Sequence, residues 1–250
     1  VKILVCIKQV PDTEALLRIA ADQTTLSDAG VKYILNPYDE YALEEALRIK
    51  EAVPGTVIRA ITLGPARCAE VLRTAAAMGA DEVLHLRADE IPLDGLASAR
   101  ALARVAAEYT PDLILLGKES IDDGNMQVGP MLAELLGLPC ITVVTRLTLS
   151  AGGLTAECER DDGTAIFEAP LPAVVTCQKG LSEPRYPSIR GKMAAMKMAI
   201  PEQPAGVSAG KIRITRLTPP TARAGGKRVG EGAAAVTELV DLLHSEARVI

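Results

Sequence analysis

The chain has 250 residues, 48% of them hydrophobic and 24% charged, with a formal net charge of -5. That length supports one sizeable core with an extension, and the acidic balance disfavours a general nucleic-acid binder. Aromatic residues make up 2%, with no Trp and a single Phe, which removes the stacking platforms that single-stranded nucleic acid uses.

Read in chain order, KILVCIK (Lys2 to Lys8) is a short apolar run that predicts a buried strand, and YDEYALEEALRIKEA (Tyr38 to Ala52) predicts a helix with Ala42, Leu43, Ala46, Leu47 and Ile49 on one face. VIRAITLG (Val57 to Gly64) predicts a strand, ARCAEVLRTAAAMG a helix stopped by Gly79, and EVLHL (Glu82 to Leu86) the next strand. The alternation continues with a helix from Leu96 to Tyr109, a strand DLILLG ending at Gly117, a helix from Gln127 to Gly137 and a strand from Cys140 to Val144. Apolar strands alternating with helices predict an α/β fold: an open, mostly parallel sheet with helices on both faces, Rossmann-like, its post-strand loops gathered on the edge where such sheets bind ligands.

After Val144 the pattern alternates and turns at Gly152-Gly153 and Asp162-Gly163, which predicts antiparallel strands before a strand from Ala173 to Cys177. A short helical run, KMAAMKMAI, ends near residue 200. From Lys211 to Arg228 there are six basic residues and no acidic ones, and from Pro201 to Gly232 the abundance of Pro and Gly leaves little for a separate core. The expected division is therefore 1–200, an α/β domain, and 201–250, an extended arm closed by a helix from Ala233 to Glu246.

No window reaches 18 apolar residues, and Lys8 and Pro11 interrupt the first run too early for an export signal, so a cytoplasmic protein without membrane insertion is expected. Five dispersed cysteines with no CxxC argue against a disulfide frame or a local metal site. His85 and His244 have no evident nucleophile or carboxylate partner, and neither a GxSxG nor an HExxH motif is present, so no catalytic residue is assigned.

The richest loop is GKESIDDGNMQVGP, between the strand ending at Gly117 and the next helix. Asp122 and Asp123 can bind a ribose diol or orient amides, and Gly124 and Gly129 let backbone N–H groups approach an anion; the same residues also make a plain acidic turn. GxGxxG and GxxxxGK[ST] are both absent. Asn36 before Pro37 is a backbone cap, a base-edge partner or simply a helix entry, and Tyr38 is notable in a chain so poor in aromatics. The helix after Gly64 can receive phosphate, and Cys6 and Lys8 can face the same cleft. Further on, Leu181 and Tyr186 lie among Lys179, Arg185, Arg190, Lys192 and Lys197, an apolar anchor ringed by charge or a solvated edge.

Several blocks taken together, KILVCIKQVPDT, VKYILNPYDEYALEEALRIKE, LGPARCAEVLRTAAAMGAD, LLGKESIDDGNMQVGPMLAELLG, LPAVVT and LSEPRYPSIRGKM, resemble the beta subunits of electron-transfer flavoproteins along essentially the whole chain. The resemblance implies an obligate heterodimer with an alpha subunit that holds most of an FAD, and a second nucleotide, ordinarily AMP, buried in the beta subunit. It implies nucleotide contacts at Cys6, Asn36, Pro37, Tyr38, Asp39, Leu63 and Gly64, and at Gly117, Lys118, Glu119, Ser120, Ile121, Asp122, Asp123, Gly124, Asn125, Met126, Gln127 and Val128. Tyr38 is expected to approach the shared flavin, the C-terminal arm to embrace the alpha subunit, and Leu181, with Arg185 and Tyr186, to dock on partner dehydrogenases such as acyl-CoA dehydrogenases. Cys158-Glu159 departs from the family, where a basic residue is usual.

SIRGKM, VCIKQVPDT and QVGP also look like electron-bifurcating members, in which the second site holds another FAD that takes hydride from NADH and passes electrons to ferredoxin or flavodoxin and to a second acceptor. DDGNMQVG departs from the IDGDTAQVG form common there. On sequence the second FAD is favoured over AMP. Rival readings are an adenine-nucleotide hydrolase or ligase using Asp122 and Asp123 on magnesium, and a ligand-sensing module similar to small nucleotide-binding stress proteins.

Overall fold

The computed structural model describes residues 1–207, 210–221 and 225–250, so parts of the expected arm, 208–209 and 222–224, lie outside the described residues. Seven strands, all paired in parallel, form the main sheet: β1 (Lys2–Cys6), β4 (Val57–Gly64), β5 (Glu82–Arg87), β6 (Leu113–Gly117), β7 (Cys140–Val144), β11 (Ala173–Cys177) and β12 (Glu202–Pro204). Their order is β12-β5-β4-β1-β6-β11-β7.

Helices α1 (Pro37–Ala52) and α2 (Ala69–Met78) cover one face, with Leu43, Leu47 and Leu72 packed on Ile3, Val5 and Ile58. Helices α3 (Gly95–Tyr109) and α4 (Val128–Leu136) cover the other, with Leu102 and Leu132 on Leu4, Ile61 and Ile114. Successive residues of a strand point to opposite faces, so a strand covered on both sides must be apolar throughout. That requirement explains KILVC and LILLG, and the expected doubly covered sheet is the one observed.

Two short strands, β2 (Gln9–Pro11) and β3 (Tyr33–Leu35), form a separate ribbon. Strands β8 (Arg146–Ser150), β9 (Gly153–Arg160) and β10 (Gly163–Pro170) form the expected antiparallel excursion, turning at Gly152 and Gly163 in the positive-φ conformations that glycine adopts most readily. The chain then re-enters the main sheet: β11 lies between β6 and β7.

Helix α5 (Ile189–Lys197) starts earlier than the apolar run suggests, because Ser188 caps it by accepting a hydrogen bond from Gly191 N at 3.0 Å. Beyond it, β12 adds to the edge of the main sheet beside β5. His85, with no exposed surface, holds this edge: Nε2 lies 3.0 Å from Gly64 O and Nδ1 lies 3.3 Å from Glu202 Oε1. The last helix, α6 (Val236–Ser245), has no buried residue and exposes Val236, Leu239 and Val240. Among the described residues no helix is long and apolar enough to cross a membrane.

Candidate functional site: the crevice between β1 and β6

Strand β1 sits between β4 and β6, so the connections leaving β1 and β6 run apart and open a crevice beyond the strand ends. A cleft of about 810 Å³, its open mouth included, lies there. Cys6, Leu63 and Leu116 give it an apolar floor, and Ile91, Pro92, Leu93 and Leu102 supply an apolar wall from α3 and the loop before it. The opposite wall is the loop after β6, through Gly117, Lys118, Glu119, Ser120 and Asp123 to Asn125, Met126, Gln127, Val128 and Gly129.

Helix α1 wires the crevice together from below. Asp39 is buried and spans it, with Oδ2 accepting from Lys8 N at 2.7 Å and Oδ1 from Gly117 N at 2.8 Å. One carboxylate therefore staples the ends of both diverging strands. Burial away from any contacting cation pushes its carboxyl up to about 7, against the opposing pull of those two N–H groups. Asn36, also buried, donates to Glu119 O at 2.9 Å and accepts from Ile121 N at 3.2 Å. Its amide is thus engaged in shaping the loop, and it makes no side-chain cap on α1.

At the mouth, Lys8 Nζ contacts Ser120 Oγ at 2.9 Å, Asp122 Oδ1 at 2.8 Å and Asp123 Oδ2 at 3.1 Å. Burial opposes ionisation of Asp123, but Lys8, Ser120 and Asn125 N outweigh it and hold the carboxyl below its ordinary value. Gly124 and Met126, both at positive φ, fold the loop back towards α4. There the first N–H groups of α4, those of Val128 and Gly129, have no turn before them to bond, and Gln127 contributes no side-chain cap. Val128 and Gly129 both line the cleft, so the start of α4 borders it as a helix end that can receive an anion. Gly129 is required by packing, since a Cβ there would lie 2.4 Å from Thr176 Cγ2, and one on Gly117 would lie 2.8 Å from the Tyr38 carbonyl carbon.

Apolar walls, a polar rim and one uncapped helix end can take a flat group, a polyol and a phosphate. Metal chemistry has less support, because among the described residues no group of three His, Cys, Asp or Glu is arranged to hold an ion. Nor does Cys6 look nucleophilic: burial, with Asp39 nearby, pushes its thiol well above the ordinary range.

A family model for the electron transfer flavoprotein domain matches residues 23–208. The electron transfer flavoprotein subunit beta of Syntrophomonas wolfei is 38% identical over 99% of this chain and 98% of its own. That of Bacillus subtilis is 40% identical over 99% of each chain, and the human one is 41% identical over 80% of this chain and 79% of its own. The chain belongs to the electron transfer flavoprotein beta subunits.

Of the positions that the family resemblance marks in this beta subunit, the cleft brings together Cys6, Asn36, Asp39, Leu63, Gly117, Lys118, Glu119, Ser120, Asp123 and Asn125 to Val128. Pro37, Tyr38, Gly64, Ile121, Asp122 and Gly124 surround it without lining it. Tyr38 is half-buried at the start of α1, with Lys118 Nζ 5.0 Å from its ring centre and the Tyr41 ring 6.3 Å away, edge-on. The wall from Ile91 to Ser98 was not expected. Its one signal was Asp94-Gly95: Asp94 caps α3 by accepting from Leu96 N at 3.0 Å, which turns the preceding loop over the cleft.

The expected docking residues divide differently. Leu181 is 5% exposed and belongs to the core, so it offers no exposed anchor; Arg48 Nη1 donates to its carbonyl at 3.2 Å and draws the loop inward. Arg185 is turned onto α1, where it contacts Glu44 and Glu51. Tyr186, 97% exposed, and Ile189, 80% exposed, carry the apolar surface, continued by Met193 and Met196.

Proposed function

We propose that this beta subunit assembles with an electron transfer flavoprotein alpha subunit into a heterodimer that carries electrons between dehydrogenases and other redox partners through one FAD at the subunit interface, with AMP in the β1/β6 crevice. The observation that carries this reading is the crevice itself: an apolar slot ending at the uncapped start of α4, under a polar loop. The FAD supplies the redox chemistry; the chain supplies binding, orientation and electrostatics.

Each part of the crevice has a task. Leu63, Leu102 and Leu116 cover the flat base, the loop polar groups meet the ribose, and Val128 and Gly129 N–H receive the phosphate. Tyr38, next to the stapled Asp39, forms the beta-side approach to the flavin, with Lys118 above its ring adding positive charge there. The exposed apolar face of α6 and the basic arm before it pack on the alpha subunit. Tyr186 and Ile189, among Arg190, Lys192 and Lys197, dock on the partner dehydrogenase.

AMP is preferred to a second FAD for a geometric reason. Lys8 is committed to Asp122 and Asp123, and Lys118 lies 3.2 Å from Glu119, so the helix end is the anion receiver inside the cleft while the mouth is rich in carboxylates. One phosphate suits that arrangement; a pyrophosphate running outwards would meet the carboxylates. The SIRGKM block also has a local explanation, since Ser188 caps α5 and Gly191 lets α5 approach α2, where a Cβ would lie 2.4 Å from Ala77 O.

The test is to denature the purified heterodimer and quantify nucleotides. One FAD and one AMP per heterodimer is the expected result. Two FAD and no AMP would replace this reading with the electron-bifurcating one, with NADH as donor to the beta-subunit flavin.

A further inference from the structure

We infer that Arg185 is a positioning residue for partner docking: by locking the docking segment onto α1, it presents Tyr186 and Ile189 as a pre-set ridge instead of a loop that orders on contact. The inference rests on the docking reading above and goes beyond it by naming what sets the ridge.

The segment from Leu181 to Arg185 runs along one stripe of α1, formed by Tyr41, Glu44, Arg48 and Glu51, spaced three and four residues apart. Ser182 Oγ donates to Tyr41 O at 3.0 Å, and Arg48 to Leu181 O. Arg185 then closes the fastening. Its Nε donates to Glu44 Oε2 at 2.9 Å, Nη2 to Glu44 Oε1 at 2.7 Å, Nη1 to Glu51 Oε1 at 2.6 Å, and its backbone N to Glu44 Oε2 at 3.1 Å.

Glu44 is buried and Arg185 is its cationic partner, so this is a fork-on-carboxylate lock that Lys cannot reproduce. The other end of the ridge is held on α2. Gly191 sits against Ala77 O, and Arg73 Nη1 donates to Ala195 O at 3.1 Å and Met198 O at 3.4 Å, closing the end of α5. Between these two fixed ends stand Tyr186 and Ile189, exposed and apolar. A ridge ordered before the encounter spares the ordering cost that a loose loop would meet on binding.

The experiment uses the purified heterodimer and an acyl-CoA dehydrogenase that reduces the wild-type complex, itself reduced by its acyl-CoA. Arg185→Gln, Arg185→Lys and Ile189→Ala are compared by deuterium uptake over residues 182–192 without partner, by KM and kcat for the reduced dehydrogenase, and by nucleotide content. Arg185→Gln is expected to speed uptake and to raise KM about tenfold, with kcat within about twofold and nucleotides retained. Arg185→Lys should fall between it and wild type, while Ile189→Ala should raise KM at wild-type uptake.

Wild-type uptake and KM in Arg185→Gln beside a raised KM in Ile189→Ala would overturn the positioning role and leave docking intact. A wild-type KM in both variants would remove the docking reading itself. Should Arg185→Gln fail to assemble, Arg185→Lys decides alone: a raised KM with full nucleotide content supports the role, and an unchanged KM overturns it.

Discussion

Two buried carboxylates on the same helix are stabilised in opposite ways. Asp39, at the start of α1, is surrounded by backbone N–H dipoles from two strands, whereas Glu44, further along, meets the full charge of Arg185. Burial pushes the Asp39 carboxyl up to about 7, and the dipoles, which direct a carboxylate without cancelling its charge, only partly oppose that rise. The difference separates two tasks: the first site holds a crevice at a fixed width, and the second fastens a segment whose outer side must stay free.

The largest effect that would break this comparison is the pH dependence at Asp39. Its folded value lies above the 3.8 of a free Asp, so the folded state holds a proton that the unfolded chain has released between pH 3.8 and about 7. Stability contributed by this group is therefore greatest below that window, falls as pH rises through it, and levels off above it, lower by up to about 4 kcal/mol. Asp39→Asn should flatten that slope in chemical denaturation from pH 4 to pH 8; an unchanged slope would mean that the staple is not the titrating group.

Arg185→Ala comes next. It leaves Glu44 buried without its cation and should cost about 3 kcal/mol, after allowance for the partial exposure of the arginine. Adding Glu44→Leu should recover most of the loss, and failure to recover would show that the pair acts through something other than a buried charge.

Gly129→Ala sharpens the crevice side. Pushing the start of α4 off Thr176 should cost about 1–3 kcal/mol and reduce AMP retained through purification, whereas a substituted protein with full nucleotide content would move the phosphate away from that helix end. The smallest effect is Ser188→Ala, which removes the α5 cap at about 1 kcal/mol and should leave nucleotide content unchanged.

Much of this was legible from periodicity. KILVC and LILLG are apolar on both faces because both faces are covered, and the glycine-rich loop after β6 does border the cleft. Other features depend on partners far along the chain. Nothing local in AVVTC says that it lies between β6 and β7, and nothing in EQP says that it extends the sheet beside β5. Leu181 and Ile189 are each an apolar residue near charges; only the stripe on α1 that receives one and leaves the other outside tells them apart. Asn36 and Asp39 were recognisable as polar groups near a ligand, but their bonds to Glu119, Ile121, Lys8 and Gly117 come from tertiary structure.

The place of β11 has a consequence for how the protein is made. Lys118 N bonds Cys177 O, Val143 N bonds Thr176 Oγ1, and Gly129 rests on Thr176, so the wall of the crevice leans on residues that leave the ribosome well after it. A nascent chain that stops before β11 has its glycine-rich loop and the apolar floor but not the strand on which that loop leans, and β7 has no neighbour in the main sheet. The crevice is therefore completed late in synthesis, when the antiparallel excursion has turned back and delivered its last strand into the gap.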